Sequence, residues 1–273
     1  MPELQRFVQG NLTWHSDREL LPEGILIAFS ERTGGRSAAP YATLNLSDRV
    51  GDGPAAVAEN RRLLMSALGL DEATQGRLHS CIQVHGADVV RVDEPLADPV
   101  VANADALVTA TPNIPLLVCI ADCVGIILVA TGPRRAIAVV HSGWKGTLAR
   151  IAAAAVDALH ESYGAGPGDI VAYLGPYIGP ESFEVDAQLA ARFAAEFPGL
   201  EQTPGAGGIA RLDLGAAVSQ TLRDVGVAAE RIVNLGVDTA QDPAHFYSYR
   251  AQDGTTGRQG ALACLLPEDD SHA

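Results

Sequence analysis

Little of this sequence is basic. Its 19 Lys and Arg face 33 Asp and Glu, for a formal net charge of −14, and basic clusters are isolated pairs such as Arg61-Arg62 and Arg134-Arg135. Binding along a phosphate backbone needs a basic stripe, so nucleic acid is excluded as the expected partner. A local anion site remains compatible, since a few N–H groups and one Arg can hold phosphate in an acidic protein. Cysteine is scarce too: Cys81, Cys119, Cys123 and Cys264 are too few for a disulfide framework in 273 residues. No apolar run reaches the roughly 18 residues that a membrane span requires. The N-terminal MPELQRFVQGNLTWHSDREL lacks the charged-then-apolar order of a secretory signal. Together these absences lead to the expectation of a cytoplasmic protein without a membrane partner.

What is present reads as a folded chain, with 47% hydrophobic and 19% charged residues. Runs rich in Val, Ile and Leu, punctuated by Gly, Pro, Asp or Asn, predict strands. They lie at Ile25–Phe29, Leu78–Val84, Val89–Val92, Ala106–Val108, Leu116–Ile120, Val124–Ala130 and Ala136–Val140, then at Ile170–Leu174, Arg231–Leu235 and Ala261–Leu265. Helical periodicity marks Ala55–Leu68, Leu148–Tyr163, Val185–Phe197 and Leu214–Val225. Several strands follow one another between Leu78 and Val140, which favours a mixed sheet system with helices outside it over a regular Rossmann repeat. Pro198–Ile209 (PGLEQTPGAGGI) reads as a Gly/Pro-rich surface loop, not a domain boundary. A single domain is expected over residues 1–266, followed by an acidic tail from Pro267 to Ala273 that should fray.

Three segments end a strand in a metal-capable residue. In CIQVHGADVV, period-two alternation places His79, Cys81, Gln83 and His85 on one side, with His85 last before Gly86. In LLVCIADCVGIILV, Cys123 follows Asp122 between two apolar runs, and Cys119 could share its face. In AIAVVHSGWKG, an apolar strand ends in His141, and a Ser-Gly turn leads to a helix. His85, Cys123 and His141 are 38 and 18 residues apart, which matches no compact zinc-finger spacing. The residues leave two readings open. Each is a core or solvated side chain, as free Cys is a small hydrophobe; or the three share a metal, and a His₂Cys set leaves the open position of a catalytic zinc site. At His141-Ser142-Gly143-Trp144-Lys145-Gly146, the start of the helix could hold an oxyanion, or Ser142 could simply cap it.

The ordered motifs QVHGADV, ADC, HSGWKG, LGPYIGPESFEV and SYRAQDGTTGR resemble the laccase-domain family, also called multicopper polyphenol oxidase-like proteins or peptidoglycan editing factors. ERTGGRSAAPYATLNLSDRVGD and the following Glu59-Asn60-Arg61 resemble its N-terminal signature, so the likeness runs from about Ile25 to Leu265. The resemblance implies an α/β fold of mixed β-sheets layered between helices, an αββα-type sandwich. It also implies a zinc site at His85, Cys123 and His141. The activity it implies is phosphorolysis of adenosine, inosine and methylthioadenosine, with adenosine deamination. Three positions depart from the family pattern: Lys145 stands where Arg is usual, Arg49 where His is usual, and LGVDTAQDP lacks a second Cys.

With nucleoside and phosphate as the expected small-molecule partners, Arg32, Arg61, Lys145 and Ser142-Gly143 are candidate phosphate contacts. Asn45 and Arg258 are polar candidates for the cleft lining. Bound zinc would serve deamination by lowering the pKa of a water molecule to about 7, although the H-x-E with P-C-x-x-C deaminase signature is absent. An alternative is a hydrolase or amidase acting on peptidoglycan precursors, with Cys123 as nucleophile and His141 as base. Copper oxidation of phenols fits the family name and the blue-copper likeness of a His₂Cys set. It does not fit seven histidines with no His-x-His and a lone internal Met65.

Overall fold

Side chains on a strand alternate between faces, and here that alternation sorts the apolar residues into three core layers. Along Val124–Ala130, Ile126 and Leu128 face one layer while Ile127 and Val129 face another. Along Gln259–Leu265, Ala261 and Ala263 face the shared middle layer while Leu262 and Cys264 face outward. The computed structural model describes residues 1–132 and 134–267.

A seven-stranded sheet runs in the order Gln5–Gln9, Leu12–Ser16, Ile25–Ser30, Gln259–Leu265, Leu116–Ile120, His79–Cys81 and Val100–Val101. A six-stranded sheet runs Ile232–Asn234, Ile170–Leu174, Val124–Ala130, Ala136–Ser142, Ala106–Thr109 and Val89–Arg91. Both are mixed: His79–Cys81 is parallel to Leu116–Ile120, whereas Ala136–Ser142 is antiparallel to both its neighbours. The sheets face each other across Ile27, Phe29, Val118, Ile127, Val139 and Tyr173. All six are buried to within 1% of complete, and each such side chain contributes about 1.5–3 kcal/mol.

The outer faces are closed by helices. Pro54–Ala67 lays Leu64 and Met65 against Leu26, Leu117 and Leu262 of the seven-stranded sheet. Ile151–Tyr163, Ala187–Glu196 and Leu214–Asp224 cover the six-stranded sheet with Ala155, Leu159, Phe193 and Val218. The result is the helix–sheet–sheet–helix layering expected from the resemblance.

Several local expectations need correction. The helix expected from Leu148 begins at Ile151, because Arg150 adopts a left-handed conformation (φ 56°) that separates it from the short Trp144–Leu148 helix. Arg150 is held there by Glu196 at 2.5 Å and Asp224 at 2.9 Å. Within Pro198–Ile209, Gln202–Pro204 is a strand, joined with Ile209–Leu212 and Glu184–Asp186 in a small third sheet. Val185 therefore belongs to a strand, not to the helix that follows it. The hairpin Gln5–Gln9 with Leu12–Ser16 carried no distinct sequence signal. Among the described residues, no helix is long and apolar enough to cross a membrane. Beyond Pro267 the expected acidic tail lies outside the described residues.

One connection positions the site. Leu116–Ile120 belongs to the seven-stranded sheet and Val124–Ala130 to the six-stranded one, so Ala121-Asp122-Cys123 carries the chain from one sheet to the other. Cys123 thus sits at the seam between the sheets.

Candidate functional site

The crossover is anchored on both sides. The Asp122 carboxylate accepts the Thr239 hydroxyl at 2.7 Å and the Arg250 amide N–H at 2.8 Å, and its carbonyl accepts the Ile178 N–H at 2.9 Å. His141 comes to Cys123 through strand register. It pairs with Gly125 and Ser142 with Val124, so Gly143 follows opposite Cys123. His85 arrives from a turn. The strand expected over Leu78–Val84 stops at Cys81, and His85 has left it, with φ at 61°. Gln83 instead closes two hydrogen bonds with the Cys119 backbone, at 2.7 and 2.9 Å. His79, expected on the same face as His85, is buried. Its ring nitrogens meet the Arg77 carbonyl at 2.7 Å and the Leu96 N–H at 3.0 Å.

The ligand-type atoms of His85, Cys123 and His141 all lie within 4.8 Å of one another, the one such group of three or more His, Cys, Asp or Glu among the described residues. The two imidazoles meet edge to face, with centroids 4.8 Å apart. Burial works against a charged Cys123, but His141 and then His85 hold its thiol down at about 6. Burial also opposes a charged His141, yet Cys123 and Asp105 raise it to about 9. By contrast, burial pushes the Cys81 thiol up to about 12 and raises that of Cys119. A thiolate beside two imidazoles is a donor set that suits zinc or copper. Three protein donors are one fewer than a closed structural zinc site uses.

Gly143 leaves room for the His85 and Cys123 side chains to approach each other. A Cβ there would stand 2.7 Å from His85 Cδ2 and 2.9 Å from Cys123 Sγ. Gly146 has a similar reason, since its Cβ would come within 2.9 Å of the Gly86 carbonyl oxygen. The two glycines let HSGWKG pack against QVHG.

The three residues line a cleft of about 570 Å³. Cations line it from the seven-stranded side: Arg49, Arg61 from the Pro54–Ala67 helix, and Arg258 just before the Gln259–Leu265 strand. Trp144, Ile178, Phe183 and Leu214 line it from the six-stranded side.

The other candidates divide. Arg61 and Arg258 line the cleft; Arg61 is braced by the Leu46 carbonyl at 2.8 Å, and Arg258 by those of Thr256 and Gly257, both at 2.8 Å. Arg32 and Asn45 do not line it. The Arg32 guanidinium donates to the carbonyls of Ala42 and Pro243 and stacks on Tyr247, so it ties loops together. Asn45 is fully buried, donating to the Ser47 carbonyl and Asp52 carboxylate and accepting from the Ser47 and Arg258 N–H groups. Ser142 is also buried, within the strand. Its hydroxyl meets that of Thr147 at 2.8 Å, so it does not cap the helix. Lys145 lies beside the Trp144 ring, outside the lining. With only five residues, Trp144–Leu148 offers no substantial dipole for an oxyanion. Sequence reading missed the part played by Gly143 and gave no role to Asp105, a solitary acid in ANADAL with no local signal of burial.

The comparisons agree with this architecture. A family model described as multi-copper polyphenol oxidoreductase laccase matches residues 26–266. A purine nucleoside phosphorylase of Streptomyces coelicolor is 41% identical over 248 residues, covering 89% of this chain and 96% of that protein. One from Deinococcus radiodurans is 41% identical over 239 residues, covering 87% and 88%. The crystal structure of YlmD from Geobacillus stearothermophilus superposes with a TM-score of 0.88 at 30% identity, covering 98% of this chain and 100% of that one.

Proposed function

We propose that this chain, which belongs to the multi-copper polyphenol oxidoreductase laccase family, is a zinc-dependent purine nucleoside phosphorylase acting on adenosine, inosine and methylthioadenosine, with adenosine deaminase activity. The observation that carries this reading is the cleft: His85, Cys123 and His141 share a space with Arg49 and Arg61, which stand beside Asp48, with Arg258, and with the apolar groups of Trp144, Phe183 and Leu214, where Arg250 stands over Phe183. The name carried by relatives about 40% identical supports the phosphorylase part.

The chain's own residues divide the work. Arg61 and Arg258, joined by Arg49, present guanidinium groups that suit the oxyanions of phosphate. Because carbonyls hold Arg61 and Arg258 in place, less ordering entropy is lost when phosphate binds. Trp144, Phe183 and Leu214 offer the surface against which a purine is removed from water. Phosphate held this way attacks ribose C1′ as the C1′–N9 bond breaks, and the proton that the phosphate gives up goes to the departing base; the products are the sugar 1-phosphate and the free base. Zinc held by His85, Cys123 and His141 would supply Lewis acidity, which suits attack of water on C6 of adenosine.

One observation favours a second reading. Cys123 beside His141, whose far ring nitrogen is held by the Asp105 carboxylate at 2.8 Å, is the arrangement of a cysteine nucleophile, its base and an orienting acid, as an amidase acting on a peptidoglycan precursor would need. Product analysis separates the two. Zinc-loaded protein with inosine and phosphate should yield hypoxanthine and ribose 1-phosphate, and adenosine should also yield inosine. Absence of both reactions, together with amide cleavage by metal-free protein, would replace the first reading with the second.

A further inference from the structure

The carboxylate of Asp105 is completely buried, and four N–H donors converge on it. Oδ1 takes the His141 Nδ1 at 2.8 Å and the His85 amide at 3.0 Å; Oδ2 takes the amides of Gly86 at 2.7 Å and Val84 at 3.1 Å. The Asp105 backbone carbonyl also accepts the His141 amide at 2.7 Å. One residue thus grips His141 by ring and backbone and closes the turn that holds His85 at a positive φ. A non-glycine residue in that region is strained and persists only where its surroundings enforce it.

We propose that Asp105 is a positioning residue for the metal centre: it keeps the proton on Nδ1 of His141, leaving Nε2 as the donor, and fixes the QVHG turn so that His85 meets Cys123. Among the described residues its carboxylate is the one side-chain partner of His141 Nδ1, so the ring's other nitrogen is the one left to face Cys123. An acid hydrogen-bonded to a ligating imidazole sets the tautomer and raises ligand basicity, and loss of such a partner costs about 10–100-fold in metal affinity. The proposal rests on the reading of His85, Cys123 and His141 as a metal site, and it is independent of the substrate.

Zinc affinity, measured by chelator competition, should fall about 10–100-fold in Asp105→Asn. The visible spectrum of its cobalt(II)-loaded form should lose the wild-type d–d bands, a change that an altered melting temperature alone would not produce. Zinc binding within about threefold of wild type, with an unchanged cobalt spectrum, would overturn the proposal. Should Asp105→Asn fail to fold, wild-type protein loaded with ¹¹³Cd decides the matter by nitrogen NMR. Coupling of cadmium to His141 Nε2 with a retained Nδ1–H is expected, and coupling to Nδ1 would overturn the assignment. Wild-type protein that binds neither zinc nor cadmium at this site would remove both the metal reading and the Asp105 proposal.

Discussion

Gly143 lies across the strand register from Cys123, so close that a Cβ on it would stand 2.9 Å from the sulfur. Its backbone, at φ −77° and ψ 173°, is one any residue adopts. Its smallness is therefore required by space alone. Gly143→Ala should displace His85 or Cys123 at a cost of about 1–3 kcal/mol in stability, and bind zinc at least about tenfold more weakly, equivalent to about 1.4 kcal/mol. Equal affinity by chelator competition would show that this approach of His85 and Cys123 is not needed to bind an ion.

Two cysteines of the cleft should behave oppositely. Cys119, on a strand of the seven-stranded sheet, packs at the edge of the core with its thiol raised by burial, whereas Cys123 belongs to the ligand group. Cys119→Ser should cost about 1–3 kcal/mol of stability through its hydroxyl and retain zinc. Cys123→Ser should lose most zinc and turnover with a smaller effect on unfolding. Metal analysis beside denaturant titration reads both, and the reverse pattern would mean the wrong cysteine has been assigned.

The arginines should separate by where they point. Removing one charge-assisted contact costs about 1.5–3 kcal/mol, so Arg61→Gln should raise KM for phosphate by about 10–100-fold. Arg32→Ala should instead lower thermal stability, since its guanidinium holds the Ala42 and Pro243 carbonyls. It should leave KM for phosphate near wild type. Steady-state kinetics in varied phosphate provide the check; an unchanged KM in Arg61→Gln would remove that residue from the anion site.

Acid stability should depend on Glu31. Burial favours its neutral form, but His15 and Arg6 hold its carboxyl down at about 2, against an ordinary value of 4.5. A lowered folded-state value means that its contribution is complete above the unfolded value and is lost as pH falls from about 4.5 toward 2. Glu31→Gln should therefore melt lower than wild type at pH 6, and the gap should narrow as pH falls to 3. Curves that stay parallel over that range would contradict the assignment.

Much of the fold was legible because fully buried strands are long apolar runs with clear punctuation. Leu116–Ile120, Val124–Ala130 and Ile170–Leu174 have the bounds read from sequence. The opening hairpin was not legible, since Gln5–Gln9 is largely exposed and lacks a clean alternation. At the site, strand ends flagged His85, Cys123 and His141 one at a time, and the sheet crossover and the register beside Cys123 bring them together. Asp105 was hidden because its partnership with His141 spans 36 residues. Arg32 and Asn45 show the converse limit: a polar residue in a motif can serve backbone carbonyls as readily as a substrate.

The central claim makes phosphorolysis, like deamination, depend on the metal centre, and phosphorus NMR of inosine and phosphate tests it most directly while zinc is titrated into metal-free protein. Ribose 1-phosphate should form in step with zinc and level off at one equivalent per chain, with no base released when phosphate is omitted. Full activity without metal, or no ribose 1-phosphate at one equivalent of bound zinc, would contradict it.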